Sequence, residues 1–258
     1  METETPIRAP FPAEHEAAAV LRIRLGACRL VLRPGGDEPW VEGTYRDPSG
    51  EEPLQLEVDG PELTLRQQHS VASTVGLVHG TPVCELALGT ATPFHLVVDT
   101  GASDASIDLS GVPLRGLELR SGAGRIDLSV ATPNPVDADT LSFRIGAGAV
   151  NARGLGNLAA ERLRVEGGAA ALDLDLTGEL RRPLVGRVAT GLAGVTITVP
   201  GDHPVRLTSD ARLGGIDLGD GFLTREGAVT TPVDGDPVIS LHTVVALGSL
   251  RLRTSVAD

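Results

Sequence analysis

The residues with the clearest chemical potential lie together in one short segment, Leu96-Val-Val-Asp99-Thr100-Gly101-Ala-Ser103. An aspartate that follows apolar residues and precedes Thr-Gly is typical of a hydrolytic loop in which two carboxylates share one proton beside a water molecule. In such a loop the amides of the threonine and the glycine hold the segment in place. Asp99, Thr100 and Gly101 are therefore the candidate catalytic residues, provided that a second carboxylate is supplied.

This segment resembles the active-site loop of aspartic peptidases. In a retroviral-type enzyme of that class, dimerisation would supply a second copy of Asp99, and an apolar-apolar-Gly-Arg segment would follow later in the chain. Leu184-Val-Gly-Arg187 is a partial match, but Val188-Ala189 follows it where that class has an acidic residue. The resemblance implies a peptidase, and the alternative is that Asp-Thr-Gly belongs to a structural repeat.

The structural alternative rests on a pattern that occurs three times between Leu117 and Leu174. Each copy reads as a short alternating strand, a corner of small residues and a second alternating strand that ends in Asp or Asn between apolar residues. Gly101 aligns with the corner glycines of these copies, and Asp99 takes a slot that holds Arg, Glu or Ala elsewhere. Steps of 21, 24, 22 and 23 residues lead from Gly101 to Gly122, Gly146, Gly168 and Gly191. The repeat therefore explains the Asp-Thr-Gly segment better than catalysis does.

These copies predict an all-β protein, a right-handed parallel β-helix (β-solenoid) of roughly 21–24-residue rungs with an N-terminal β subdomain. Alternation sends Leu, Val and Ile inward and charged residues outward, and glycine permits the sharp bend at each corner. The right hand follows from the general bias of parallel β connections. We expect a flexible tail over residues 1–18, the N-terminal β subdomain over 19–82 and the β-solenoid repeat domain over 83–258. A sandwich of short strands, the alternative, would not require the same corner in each copy.

The composition fits a slim core and narrows the range of partners. The 258 residues include 32 Gly and 18 Pro but only 2% aromatic residues, so Leu, Val, Ile and Ala must fill the interior. The net charge of −12 disfavours nucleic acids and anionic membrane surfaces, whose recognition needs clustered Lys and Arg. The apolar runs are too short to span a bilayer. We therefore expect a protein partner or self-association, with no nucleic acid and no direct membrane insertion.

Neither the cysteines nor the histidines form a recognisable site. Cys28 and Cys84 have no Cys-x-x-Cys spacing, and the six histidines are scattered without zinc-like spacing. The N-terminal Met1-Glu-Thr-Glu-Thr-Pro6 lacks the basic start and the apolar core of a secretory signal. The sequence thus predicts a cytoplasmic protein with buried, reduced thiols, no metal assigned to these residues and no cofactor.

One repeated surface feature could still bind cations. A single slot of successive copies is predicted to hold Asp108, Asp127, Asn151, Asp173 and Asp217. Rungs place neighbours about 4.8 Å apart, where two exposed carboxylates repel by only about 1 kcal/mol in water. A solvated face with nearby arginines accounts for this acidic row, and a chain of Ca²⁺ sites is the alternative.

A wider resemblance covers nearly the whole chain after residue 18. Leu21 to Leu32, which includes Gly-Ala-Cys-Arg-Leu-Val-Leu, and then Val41-Glu-Gly-Thr-Tyr45 resemble the N-terminal part of bacterial toast-rack domain proteins. The later Gly-Ala-Gly and Ile-Asp-Leu array is similar to their C-terminal region and to the head domains of candidate adhesins. The resemblance implies β-helical modules without catalytic residues, some of them attached to membrane proteins of cell-wall-active antibiotic responses.

Three function classes follow from these observations. The first is a non-enzymatic interaction or scaffold module, for which the resemblance implies a link to envelope-stress signalling. The second is an adhesin-like ligand-binding module, although few aromatic residues are present to stack on sugars. The third is the aspartic peptidase that uses Asp99, Thr100 and Gly101.

Overall fold

The computed structural model describes residues 3–12, 19–50, 52–68 and 80–255. Over these ranges the chain is almost wholly β-structure, with a single short 3-10 helix at Leu155–Leu158. The N-terminal strands are β1 (Thr3–Ala9), β2 (Val20–Pro34), β3 (Val41–Asp47), β4 (Leu54–Asp59), β5 (Glu62–Gln67) and β6 (Val83–Leu88). The middle strands are β7 (Phe94–Asp108), β8 (Leu114–Ser129), β9 (Thr140–Arg153), β10 (Arg162–Asp175) and β11 (Leu184–Pro200). The last strands are β12 (Val205–Leu218), β13 (Leu223–Arg225), β14 (Ala228–Thr230) and β15 (Ile239–Ser255).

The long strands form one mostly parallel stack, which confirms the all-β prediction. In space they follow the order β2-β7-β8-β9-β10-β11-β15-β12, and each neighbouring pair is parallel. Buried residues of the connecting loops, such as Leu109, Val130 and Leu176, join the same core. Within the described parts of the chain, no helix is long and apolar enough to cross a membrane.

Each long strand changes its inward face once, at the glycine corner. In β7 the buried positions are Leu96, Val98 and Thr100 before the corner and Ala105 and Ile107 after it. Because side chains alternate along a strand, a shift from even to odd buried positions requires a bend between the two halves. The two halves of every rung therefore line two walls of one core.

The corner glycines align across the strands as the repeat predicts, and the close packing explains why they are glycine. A Cβ added to Gly122 would lie 2.8 Å from the carbonyl oxygen of Gly101. One added to Gly146 or Gly168 would lie 2.4 Å from the carbonyl oxygen of the preceding corner. At that distance a methyl group would push the strands apart, so a side chain is excluded from the middle of the column.

The last two copies do not stack in chain order. After β12 the chain forms the β13–β14 hairpin and then returns as β15, which inserts between β11 and β12. Successive copies therefore do not occupy successive rungs at this end. Both copies have the same alternation of apolar and polar residues, so the alternation alone does not determine which of the two lies outermost.

The N-terminal end is closed by two extensions, each of which starts with a strand parallel to β2 and continues with antiparallel pairing. The first half of β2 pairs with β5, and β5 pairs with β4. The second half of β2 pairs with β6, followed by β3 and β1. Trp40 and Tyr45 are buried here, and the Trp40 ring stacks on Phe11 and meets the edge of Phe94, both at 5.6 Å between centroids.

Two expectations about domain organisation change as a result. Thr3–Ala9 pairs along its whole length with Val41–Asp47, so a flexible tail is wrong for these residues; positions 13–18 of that prediction lie outside the described residues. The predicted boundary at 82/83 does not separate two cores either. β2 pairs directly with β7, and one cluster of buried residues includes both parts.

Candidate functional site

A shallow groove follows the glycine column across six neighbouring strands, from β7 to β15. This corner groove has a volume of about 630 Å³. Its floor is formed by the backbone of Gly122, Gly146, Gly168 and Gly191. Its rim holds the residues two positions before each corner: Asp99, Arg120, Arg144, Glu166, Ala189 and Val244. An adjoining recess of about 970 Å³ shares Asp99 and Thr100 and extends towards Arg24 and Arg66.

The groove follows directly from the repeat. A corner without side chains leaves a trough, and the outward position two residues earlier must point to solvent because of strand alternation. Polar residues are favoured there, and the rim has an acidic, two basic and an acidic position in series before the uncharged Ala189 and Val244. The groove therefore has a side-chain-free floor and a mixed-charge rim whose positions recur about every 4.8 Å.

Ion pairs tie the middle of the rim together. The Glu118 carboxylate lies 2.8 Å from Nη2 of Arg120 and 3.2 Å from Nη1 of Arg144. The Glu166 carboxylate lies 3.5 Å from Nε of Arg144 and 2.5 Å from Nη2 of Arg164. The hydrogen bond from Arg164 is the main cause that lowers the pKa of Glu166. Such exposed pairs contribute little to stability, so their main effect is to hold the rim charges in a defined pattern.

The Asp-Thr-Gly segment is part of this groove. In register, Asp99 has Arg24 on one side and Arg120 on the other. Thr100 is buried and its hydroxyl donates a 3.4 Å hydrogen bond to the carbonyl oxygen of Arg120. Gly101 occupies the glycine column. Catalysis by Asp99 needs a second carboxylate close enough to share a proton with it. The neighbours in both flanking rungs are arginines instead.

The second segment of the peptidase pattern lies elsewhere. Leu184-Val-Gly-Arg187 begins β11, which is four strands away from β7 in the sheet. Four strand spacings correspond to about 19 Å. The structure therefore does not bring Arg187 and Asp99 together within one chain.

The acidic row is shorter than the sequence predicts. Asp127, Asn151 and Asp173 are neighbours in register, and the Asn151 amide donates to Asp127 at 3.4 Å. Thr196 follows, and then Arg251 of the inserted β15 separates Thr196 from Asp217. Within the described residues, no group of three His, Cys, Asp or Glu side chains is placed to hold a metal ion.

The assignment of Asp108 to this row is wrong. Asp108 pairs with Ser129, whereas Ser106 takes the slot beside Asp127. Asp108 ends β7 and accepts hydrogen bonds from the Ser110 amide at 3.0 Å and the Ser110 hydroxyl at 2.6 Å. Its carboxylate therefore caps a turn, a role that alternation alone does not distinguish from a place in the row.

Both cysteines are buried and free, as predicted. Cys84 pairs in register with Leu30, two residues from Cys28 on the same strand. Burial raises the pKa of the Cys28 thiol to about 12 and raises that of Cys84 as well. Thiols this hard to ionise do not serve as nucleophiles at neutral pH, so they are packing residues.

Two buried amides that the sequence did not single out hold the framework of the site. The Gln67 Oε1 atom accepts the Gly26 amide at 2.8 Å, at the N-terminal end of the glycine column. Asn134 is fully buried in the loop after β8, where it accepts the Leu114 amide at 3.1 Å and donates to the Leu114 carbonyl at 2.7 Å. The prolines at 133 and 135 indicate only that Asn134 lies in a loop, and nothing in the sequence indicates that its side chain is buried.

Comparison with known proteins gives a family. The family model described as the N-terminal domain of toast_rack, DUF2154, matches residues 2–151, more than half of the chain. The chain belongs to the toast_rack family. The matched part of this toast_rack chain runs from the closed N-terminal end into β9, and so includes the first three rim positions of the groove.

Solved structures that are similar to this toast_rack chain match it at low identity. A candidate cell adhesion protein from Clostridium sporogenes is 13% identical, with a TM-score of 0.48 and coverage of 99% of both chains. A candidate adhesin from Bacteroides fragilis is 12% identical, with a TM-score of 0.47 and coverage of 98% of this chain and 97% of the other. No curated protein matches the chain.

Proposed function

We propose that this chain is a non-enzymatic interaction module, a right-handed β-helix of 21–24-residue rungs whose corner groove binds an extended segment of a protein partner. The observation that carries the proposal is the groove itself. It crosses six strands, or about 24 Å, with the corner glycines in its floor and charges of both signs along its rim. A peptide of about seven extended residues has this length.

The chemistry of the groove favours a polypeptide over a sugar chain. Sugars are commonly held on exposed aromatic faces, but no aromatic residue lines the groove. Trp40, Tyr45, Phe94 and Phe143 are instead buried in the core. A rim with Asp99, Arg120, Arg144 and Glu166 in series offers complementary partners to a peptide that has both charge signs. The adhesin-like function is the second candidate, in which the same groove would hold a non-protein ligand.

A charge reversal on the rim tests the proposal. The double variant Arg120→Glu/Arg144→Glu is compared with Arg153→Glu, an exposed arginine at the end of β9, away from the groove. Wild type and Arg153→Glu are expected to capture the same proteins from native extract, and the double variant is expected to lose them. Equal capture by all three folded proteins would contradict a role for the groove.

The peptidase alternative has its own test. Wild type and Asp99→Asn are incubated with casein and with a peptide library, and the products are compared. We expect background cleavage from both, because arginines flank Asp99 in register. Cleavage that depends on Asp99 would overturn the non-enzymatic assignment.

The location and pathway of the module are further parts of the proposal. We infer a cytoplasmic protein whose partner belongs to an envelope-stress response, as the family resemblance implies. A strain that lacks this gene should then respond abnormally to cell-wall-active antibiotics, and the Arg120→Glu/Arg144→Glu variant should fail to restore the response. Restoration by that variant would separate the groove from such a pathway.

The acidic row is proposed to be a solvated face. Asp127 and Asp173 flank an asparagine, and Arg251 interrupts the row before Asp217. The melting temperature should therefore be unchanged by added Ca²⁺ or by EDTA. A clear rise with Ca²⁺ would restore the cation-binding alternative.

A further inference from the structure

The C-terminal end of the stack exposes side chains that belong to the core. Two inward rows run through the second halves of the long strands and are buried in all the inner ones. In β15 these rows end with Leu250 and Leu252, both 0% exposed. In the neighbouring β12, their register partners Ile216 and Leu218 are 43% and 38% exposed. The difference arises because, in the part of the chain that the structure describes, no further rung covers this half of β12.

The backbone at this end is open as well. β14 pairs with β12 only at Arg206 and Leu207. Beyond Leu207, the outer edge of β12 has no strand partner among the residues that the structure describes. Such an edge presents unpaired N–H and C=O groups and can accept another strand. We call the segment from Thr208 to Leu218 the open edge.

Exposed apolar side chains are more frequent in the C-terminal part of the sheet. Of the eight large hydrophobic residues that the described chain exposes, six lie in the last five strands of the sheet order, from β11 to β13. They are Val185, Leu192, Ile216, Leu218, Leu223 and Leu247. Ile216 and Leu218 lie on the open edge itself, and exposed apolar surface at one end of a protein is a common mark of an interface.

The charge of the open edge suits an identical surface. The Asp217 carboxylate lies 2.7 Å from Nε of Arg251, so each copy neutralises its own aspartate. The Asp210 carboxylate lies 3.6 Å from Nε2 of His242. Where two copies meet at Asp217, each aspartate is therefore already paired with an arginine of its own chain.

We propose that the last part of the open edge, Ile216 to Leu218, pairs antiparallel with the same three residues of a second copy, around a two-fold axis at Asp217. A second copy supplies the Ile216-Asp217-Leu218 alternation that the edge needs, and the same contact covers both exposed core ends at once. An isologous contact of this kind closes on itself and forms no filament. Rung-on-rung stacking with the other end is not open to the chain, because β5 and β6 already cover β2.

Sedimentation of the full chain over a concentration series tests the proposal. Wild type is expected to show a reversible monomer–dimer equilibrium. Ile216→Lys should weaken the dimer at least tenfold, whereas Val58→Lys should leave it unchanged. Val58 is a matched control because it is an exposed apolar residue, 74% accessible, on the edge strand β4 at the opposite end. Circular dichroism establishes that each variant is folded.

A cysteine pair keeps the test decisive if Ile216→Lys does not fold. Asp217→Cys places an accessible thiol near the proposed axis, and Asp173→Cys places one in the same outward row inside the stack. The native thiols are buried and do not compete. A covalent dimer from Asp217→Cys alone supports the contact. Three results would overturn it: a monomer at all concentrations, equal cross-linking of both variants, or large polymers that Val58→Lys abolishes. The contact is separate from the corner groove, so its failure would leave the groove proposal standing.

Discussion

The two ends of the stacked sheet are built in opposite ways. At the N-terminal end, β2 is covered along both halves by β5 and β6, and the aromatic cluster of Phe11, Trp40 and Phe94 packs there. At the C-terminal end, β12 is covered only at Arg206 and Leu207. One end is finished within the chain, and the other leaves core rows exposed.

This difference shows that a repeat can build the middle of a stack but cannot by itself cover the ends. Each inner rung pairs with a neighbour on both sides, but the last rung of a stack always has one unpaired edge. The N-terminal residues cover the edge of β2 with two short parallel strands, β5 and β6, each of which has an antiparallel partner of its own, and with a cluster of aromatic residues. Nothing equivalent covers Ile216 and Leu218 in the described chain, which is why we look for a second molecule there.

The largest difference between the two ends should appear when one apolar residue is truncated at each of them. Trp40→Ala is expected to lower the free energy of unfolding by about 3–5 kcal/mol, because it leaves a large cavity in the closed end. Ile216→Ala should cost only about 1 kcal/mol, because much of that side chain is already in contact with water. Urea denaturation of both variants measures the two values. Similar losses would mean that the ends are equally packed.

A smaller effect should separate the glycine column from the neighbouring outward row. Gly146→Ala should destabilise by about 2 kcal/mol, because its Cβ would lie 2.4 Å from the Gly122 carbonyl oxygen. Gly215 of β12 and its row partner Gly194 of β11 have space instead, since a Cβ added to either meets nothing within 4 Å. Gly215→Ala should therefore change the thermal midpoint very little. A loss as large as that of Gly146→Ala would contradict the open outward row at this end of the stack.

Acid should act on the closed end through Asp47, with an effect of about 1 kcal/mol. Burial favours a higher pKa for this carboxyl, but hydrogen bonds from the Glu52 amide and from Ser49 outweigh it and lower the pKa. A lowered folded pKa gives stability that is present above the unfolded value and is lost as pH falls through the folded one. The urea midpoint of wild type should thus fall more steeply below pH 4 than that of Asp47→Asn. Parallel pH profiles would contradict this role.

Much of the fold follows from the sequence, because the repeat contains its own register. Gly101, Gly122 and Gly146 could be aligned from their spacing, and the structure stacks them on one another. The same alignment assigned Asp99 to the structural repeat rather than to a catalytic loop. The sequence therefore predicted the glycine column that forms the candidate site, but it did not predict a groove with a charged rim.

The errors share a physical cause, which is that alternation does not specify a neighbour. β12 and β15 have interchangeable patterns, so their order in the sheet could not be derived. Asp108 matches the acidic row by type but caps a turn two residues further along. The strand at Thr3–Ala9 depends on pairing with the distant Val41–Asp47, and no local signal indicates such a long-range contact.

Amide hydrogen exchange tests the contrast between the two ends most directly. The exchange rates of β2 and of the open edge from Thr208 to Leu218 are compared at low and high protein concentration. We predict slow exchange in β2 at both concentrations, and fast exchange in the open edge that slows as the concentration rises. An open edge that exchanges as slowly as β2 in dilute solution would contradict the account.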